Sequence, residues 1–269
     1  MMLDKKALLL SFTVLSLVSA TVLSGCSKSI TEKDRVLART HYDIAINRFQ
    51  NGQIREALRE LLRVVKHNPG LARAQNALGM VYHALGQLED SLKHYQKAVV
   101  LEPQFSEAHN NLGALLIDLG RFDEAIDEFR VSLNDILYQT PSLAEGNMGW
   151  AYYRKGEIDQ GIRHIRNAVA TNPHFCRGYE WLSRIGLDQE NSEDVATSYR
   201  RYLKHCSGND AISLLLSSDH VNQMHYYFGV SLLKQGARDQ ARKILSLCAD
   251  PQAEKGFASK CTTSLESLN

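Results

Sequence analysis

The chain has 269 residues, 44 % of them hydrophobic, with 31 lysines and arginines against 30 aspartates and glutamates. That near-balance lacks the basic excess that nucleic-acid modules carry, and short basic rows such as Arg55, Arg59, Arg63 and Lys66 read as the solvated face of a helix. No apolar run after the first 25 residues is long enough for an ordinary transmembrane span.

At the N-terminus Lys5 and Lys6 precede an apolar run from Ala7 to about Val22, which ends in Leu23, Ser24, Gly25 and Cys26. Charge, a short hydrophobic core and small residues at the exit describe a secretory signal. Leu-Ser-Gly-Cys resembles the bacterial lipobox, and the resemblance implies cleavage of residues 1–25 and a thioether-linked diacylglycerol on Cys26. Two acyl chains anchor stably where one does not. Ser27 after the cysteine is compatible with outer-membrane sorting, so the expected location is the outer membrane, lipid-anchored and facing the periplasm. Removing Asp4, Lys5 and Lys6 with the leader leaves 29 residues of each sign.

Beyond a lipidated N-terminus and linker over 26–37, a lattice of small residues takes over. In the stretch 72–105, Gly79 is followed by Tyr82 and then by Gly86 at a spacing of seven; Ser91, Tyr95 and Ala98 come next at helical spacing, and Pro103 closes the unit. Gly113 with Gly120, Gly149 with Gly156 and Gly229 with Gly236 repeat the pair. A glycine inside a helix costs about 1 kcal/mol relative to alanine. Accepting that cost four times implies close approach by a neighbouring helix. The second glycine suits the left-handed residue that ends a helix. Ala57, Ser91, Ala125, Gly161 and Ala241 let the following helix pack, and Pro69, Pro103 and Pro173 stop it.

These landmarks resemble the tetratricopeptide (TPR) repeat. The resemblance implies an all-α, right-handed superhelical solenoid of about six helical hairpins over 38–255, in which each unit buries its apolar face on its neighbours. The units fall at about 38–71, 72–105, 106–141, 142–175, 176–209 and 222–255, with a C-terminal cap over 256–269. Ala45 replaces the leading glycine of the first. The fifth is degenerate, with Ser183 and Gly186 at the glycine and tyrosine positions and Glu190 and Asn191 in its turn. Two irregular stretches interrupt the spacing. Asn134 to Pro141 lengthens repeat three by two residues, and residues 210–221 form an insertion whose Ile212, Leu214, Leu215 and Leu216 read as a short extra helix.

Apart from Cys26 the cysteines are Cys176, Cys206, Cys248 and Cys261, and an even number in an exported chain reads as disulfides. Cys176 is expected to open the first helix of repeat five and Cys206 to close its second, ends that an antiparallel hairpin brings together. Cys248 then pairs with Cys261. His174 and Cys176 beside His205 and Cys206 are also a candidate tetrahedral zinc set, although neither pair has the usual two-residue gap. Glycine-rich phosphate loops, His-Glu-x-x-His and Gly-x-Ser-x-Gly are absent from the sequence. His41, His83, His94 and His109 are assigned packing or surface roles. The expectation is a non-enzymatic protein without cofactor, small-molecule substrate or nucleic-acid partner.

The segment Asn134-Asp-Ile-Leu-Tyr-Gln-Thr-Pro-Ser-Leu-Ala, followed by Asn147-Met-Gly-Trp-Ala-Tyr-Tyr-Arg-Lys-Gly156, resembles the signature of the PilF/PilW/Tgl family. Those are outer-membrane TPR lipoproteins that act as pilotins for the type IV pilus secretin. The paired cysteines and the Trp-Ala-Tyr-Tyr wording look closer to the Tgl branch. The resemblance implies that the lipid carries the protein to the outer membrane and that the superhelix holds secretin (PilQ-like) subunits there for assembly. The alternative is a general TPR scaffold lipoprotein in envelope biogenesis or another secretion system.

In TPR proteins the first helix of each hairpin lines the concave face, at repeat positions 2, 5, 9, 12 and 13; repeat one then offers Arg39, Tyr42, Ile46, Phe49 and Gln50. Repeat two adds Met80 and His83, repeat three Ile117, and repeat four Leu143, Trp150 and Tyr153. Aromatic and Met side chains are what an interface core prefers. The carboxylate clamp of co-chaperone TPRs needs a basic residue and an asparagine where Tyr42 and Ile46 stand, so an apolar or strand-like segment is the expected partner.

Overall fold

The computed structural model describes residues 30–207 and 218–268. Cys26, the leader before it and most of the 210–221 insertion lie outside the described residues. Within them the chain forms thirteen helices and no strand. Six antiparallel hairpins follow one another: α1 (Glu32–Gln50) with α2 (Ile54–His67), α3 (Ala72–Ala84) with α4 (Leu88–Leu101), α5 (Ser106–Asp118) with α6 (Phe122–Leu133), α7 (Pro141–Lys155) with α8 (Ile158–Thr171), α9 (Cys176–Asp188) with α10 (Ser192–Cys206), and α11 (Ser218–Lys234) with α12 (Arg238–Leu245). A last helix, α13 (Gly256–Glu266), packs on α11 and α12. We call the first helix of each hairpin A and the second B.

One packing rule builds every hairpin. A small residue on helix A stands sixteen positions before a large one on helix B: Ala45 and Leu61, Gly79 and Tyr95, Gly113 and Phe129, Gly149 and Ile165, Ser183 and Tyr199, Gly229 and Leu245. Both members of each pair are buried. A Cβ placed on Gly79 would lie 2.5 Å from the Tyr95 ring, and one on Gly113 would lie 2.7 Å from the Phe129 ring. At Gly149 the obstacle is backbone, since a Cβ would sit 2.8 Å from the Gly161 carbonyl oxygen. In these glycine hairpins helix B can therefore approach only because helix A carries no side chain there.

The A–B turns are equally uniform. Gly52, Gly86, Gly120, Gly156 and Gly236 all take positive φ, as a left-handed helix end requires. In repeat five Glu190 holds this conformation at φ 55°, the one non-glycine residue among those described to do so. Such a conformation costs a non-glycine residue on the order of 1–3 kcal/mol.

The N-terminal boundary differs from the sequence expectation. Helix α1 begins at Glu32, so residues 32–37 are its first turns rather than linker. The cause is a reciprocal cap: the Thr31 hydroxyl accepts from the Asp34 amide at 3.1 Å, and the Asp34 carboxylate accepts from the Thr31 amide at 3.2 Å. Likewise α11 already runs from Ser218, within the span read as insertion. In repeat three Pro141 occupies the start of α7, where its missing N–H is harmless.

Both cysteine pairs are joined. Cys176, the first residue of α9, is bonded to Cys206, the last of α10, with Cα atoms 5.8 Å apart. Cys248, beyond α12, is bonded to Cys261 of α13 at 5.9 Å. His174 donates from Nδ1 to the His205 carbonyl at 3.0 Å. Among the described residues no group of three or more His, Cys, Asp or Glu side chains is placed to hold a metal ion.

Four histidines share one structural role. One contact between helices A and B recurs at a separation of 19 residues: His41 with Glu60 at 2.7 Å, His94 with Gln75 at 2.8 Å, His109 with Glu128 at 2.5 Å and His164 with Glu145 at 3.0 Å. Burial holds the His94 imidazole below its ordinary pKa.

Candidate interaction surface

The A helices of neighbouring repeats pack against one another, α1 on α3, α3 on α5, α5 on α7 and α9 on α11, whereas no pair of B helices does so to a comparable degree. The A helices therefore line the inner surface of the curve. Its floor is polar and interlocked: Asn111 donates to Asn76 at 3.0 Å, and Asn147 to Asn110 at 3.1 Å. Further along, a second rung links repeats, His83 with Asp118 at 2.9 Å and Tyr153 with Asp188. The Tyr153 phenol is pushed up to about 12, mainly by burial and then by the Asp188 carboxylate it donates to.

Along this surface the candidate residues fall into three places. At the N-terminal mouth Tyr42, Ile46 and Phe49 are half-buried against the core of repeats one and two, with the Arg73 guanidinium 5.9 Å from the Tyr42 ring centre. Arg35, Arg39, Tyr42 and Arg73 line a 380 Å³ cavity there. In the middle Met80 and Leu143 line a 540 Å³ cavity together with Asn110, Asn111 and the turn residues Leu137 and Tyr138. Ile117, read as a groove residue, is instead buried in the core shared by α3 to α7.

The third place lies between repeats four and five, and most of it escaped sequence reasoning. The Trp150 ring stacks on Trp181 at 5.2 Å with 8° between planes, and Tyr153 sits 5.1 Å from Trp150 on the same helix. The Arg184 guanidinium lies 5.6 Å over the Trp150 ring, and Arg177 lies 6.0 Å over Trp181. Stacked indoles under guanidinium planes make a broad amphipathic platform, the kind of surface that carries binding energy in interfaces. Trp181 sits one position beyond the usual groove position, so position counting alone passes over it.

Two family models match the sequence, a TPR repeat over residues 80–120 and a tetratricopeptide repeat over residues 147–211. The molecule is a TPR solenoid. No curated protein sequence matches the chain. Among solved structures, PilW, a widely conserved type IV pilus biogenesis factor, superposes with a TM-score of 0.71 at 18 % identity, over 84 % of this chain and 98 % of that one. PilF of Pseudomonas aeruginosa gives 0.69 at 14 % identity, over 87 % and 100 %. The Cut9–Hcn1 hetero-tetramer of the APC/C gives 0.68 at 17 % identity, over 98 % of this chain and 46 % of that one. Identities this low establish the TPR fold. That fold is a protein-interaction scaffold type, and its repeats point to protein partners.

Proposed function

We propose that this TPR protein is an outer-membrane lipoprotein that acts as a pilotin for a type IV pilus secretin, holding its subunits by the inner surface until they assemble. The observation that carries the reading is the segment from Asn134 to Gly156, which ends repeat three and opens repeat four. Its wording resembles the PilF/PilW/Tgl family, and in the fold it supplies both the turn beside the central cavity and Trp150 of the aromatic platform. The lipobox supports it, as does a length that takes in nearly the whole of PilW and PilF. The kinship with the Tgl branch rests on the paired cysteines and on the Trp150–Tyr153 wording.

The physical logic is direct. Secretin subunits expose unpaired strand edges before they close into a ring, and such edges invite wrong pairing. A groove with apolar and aromatic side chains covers that surface without any chemistry. The diacyl anchor on Cys26 sets the location, and tethering raises effective concentration.

The runner-up is a general TPR scaffold lipoprotein in envelope biogenesis or another secretion system, since one TPR shape serves unrelated assemblies. Deletion of the gene separates the two. Under the pilotin reading the denaturation-resistant secretin multimer disappears from gels, monomer accumulates and twitching motility fails. Undiminished multimer with normal pili overturns it.

A further inference from the structure

The two long edges of the solenoid differ in a way that neither the groove nor the packing explains. One edge carries the A–B turns, and among the described residues no large exposed hydrophobic side chain lies on it. The other carries the ends of the B helices and the B–A connections. Of the ten large exposed hydrophobics among the described residues, seven lie there: Val100, Leu101, Val131, Ile136, Leu137, Leu203 and Leu247. Scattered exposed apolar residues need no explanation, but a contiguous patch marks an interaction site. Here Val131, Ile136 and Leu137 border one 530 Å³ depression on that edge, beside the end of α4 where Val100 and Leu101 stand.

The centre of the patch is built, not loose. Asp135 accepts from the Leu137 amide at 2.9 Å and from the Ser106 hydroxyl at 2.6 Å, and these bonds hold its carboxyl below the usual carboxylate range. Tyr138 turns inward and packs on the core of repeats two to four. With both neighbours pinned, Ile136 and Leu137 are driven outward at 96 % and 76 % exposure. A fold that spends three residues to hold two aliphatic side chains in water presents them to something apolar.

The position of the N-terminus identifies what. Helix α1 is an A helix, so its first residues lie on this same edge, and Thr31 caps it there. Thr31 lies five positions beyond Cys26, a reach of at most about 18 Å. Three steps between adjacent A helices, about 8–10 Å each, separate the start of α1 from the turn before α7. One acyl anchor leaves a solenoid free to swing. A second apolar contact on the anchored edge fixes its orientation.

We propose that the turn Ile136–Leu137, flanked by Val131, Val100 and Leu101, inserts into the surface of the phospholipid bilayer that holds the acyl chains, and so sets the solenoid edge-down with its groove facing sideways. This rests on the reading of Cys26 as the lipid anchor. It adds a second membrane contact that lipidation does not supply.

The test uses the acylated protein in vesicles of phosphatidylethanolamine and phosphatidylglycerol, with acyl-chain-brominated lipid as quencher and Ile136→Trp as reporter. The signal of Trp150 and Trp181 is subtracted using the unsubstituted protein. Emission from position 136 is expected to shift to the blue and to be quenched severalfold more than that of Asn51→Trp, on the opposite edge. Equal quenching at the two positions overturns the inference. The intact mass of the same sample reports acylation separately. An unacylated Cys26 removes the anchor reading and this inference with it, whereas an acylated chain with position 136 unquenched removes this inference alone. A second variant guards against a protein partner. Ile136→Asp with Leu137→Asp, on a turn too exposed to disturb the fold, is expected to abolish the quenching of a Val131→Trp reporter. If that reporter is unaffected while a protein of the envelope is no longer captured, the turn is a protein contact and the inference falls.

Discussion

Repeats one to four and repeat five solve the same packing problem by different means. In the first four hairpins an alanine or glycine on helix A faces a buried large residue on helix B, and every A–B turn has its left-handed glycine. No covalent link is needed. In repeat five Ser183 replaces the glycine, its hydroxyl and that of Tyr202 are buried without a hydrogen-bond partner among the described residues, and Glu190 takes the strained turn position. Burial also raises the Glu180 carboxyl, which faces His220 at 2.9 Å. Each buried orphan costs about 1–3 kcal/mol. It is here that the Cys176–Cys206 disulfide closes α9 to α10, while Cys248–Cys261 ties α13 to the chain after α12. Covalent closure stands in for a lattice whose non-covalent fit is imperfect.

The largest expected effect breaks the regular half. Phe129 is fully buried against Gly113, so Phe129→Ala is expected to destabilise by about 3–5 kcal/mol, read from urea unfolding followed by circular dichroism. The disulfides come next. Cys176→Ser with Cys206→Ser is expected to cost about 3–4 kcal/mol on the chain-entropy account. Limited proteolysis of that variant should cut first within repeats five and six, and peptide mapping without reductant should recover both bridges from the unsubstituted protein. Loss spread evenly along the chain would erase the contrast drawn above.

A smaller effect has the opposite sign. Glu190→Gly relieves a left-handed glutamate at the loss of one exposed ion pair to Lys234 at 3.3 Å, and exposed pairs contribute little. A gain of up to about 1 kcal/mol is expected, whereas the same turn position in repeats one to four has nothing to gain. The smallest effect lies at the N-terminal cap. The Thr31 hydroxyl, with His67, lowers the Asp34 carboxyl from 3.8 to about 2. A depressed carboxyl stabilises the fold above its unfolded pKa, and the contribution is lost as pH falls through the folded value. Amide protection of the first turn of α1 should therefore decline between about pH 4 and 2, and Asp34→Asn should remove that pH dependence.

How much of this was legible in the sequence follows from the period of each signal. The glycine lattice repeats every 34 to 36 residues in the first four units, and it locates the hairpins because close helix approach leaves no other residue type. The start of α1 was not legible, since the cap uses Asp34 where a glutamate or glutamine is the familiar signal. The ladder of histidine contacts passed unread because the histidine alternates between helices A and B, so no single repeat position is always histidine. Ile117 was assigned by position alone, and burial in the shared core of α3 to α7 overrode it. Trp181 and Arg184 became visible only when α7 and α9 were brought side by side.

The central claim is that the inner surface receives a protein segment, with the stacked Trp150 and Trp181 as its firmest hold. The most direct measurement places a photocrosslinking amino acid at Leu143, which lines the central cavity, and at Arg59 on the outer face of α2, in cells making the full-length protein. The account predicts an adduct with a secretin subunit from position 143 and none from position 59, with the adduct lost when Trp150→Glu is added. Adducts from position 59 alone, or an adduct from position 143 that survives Trp150→Glu undiminished, would contradict it.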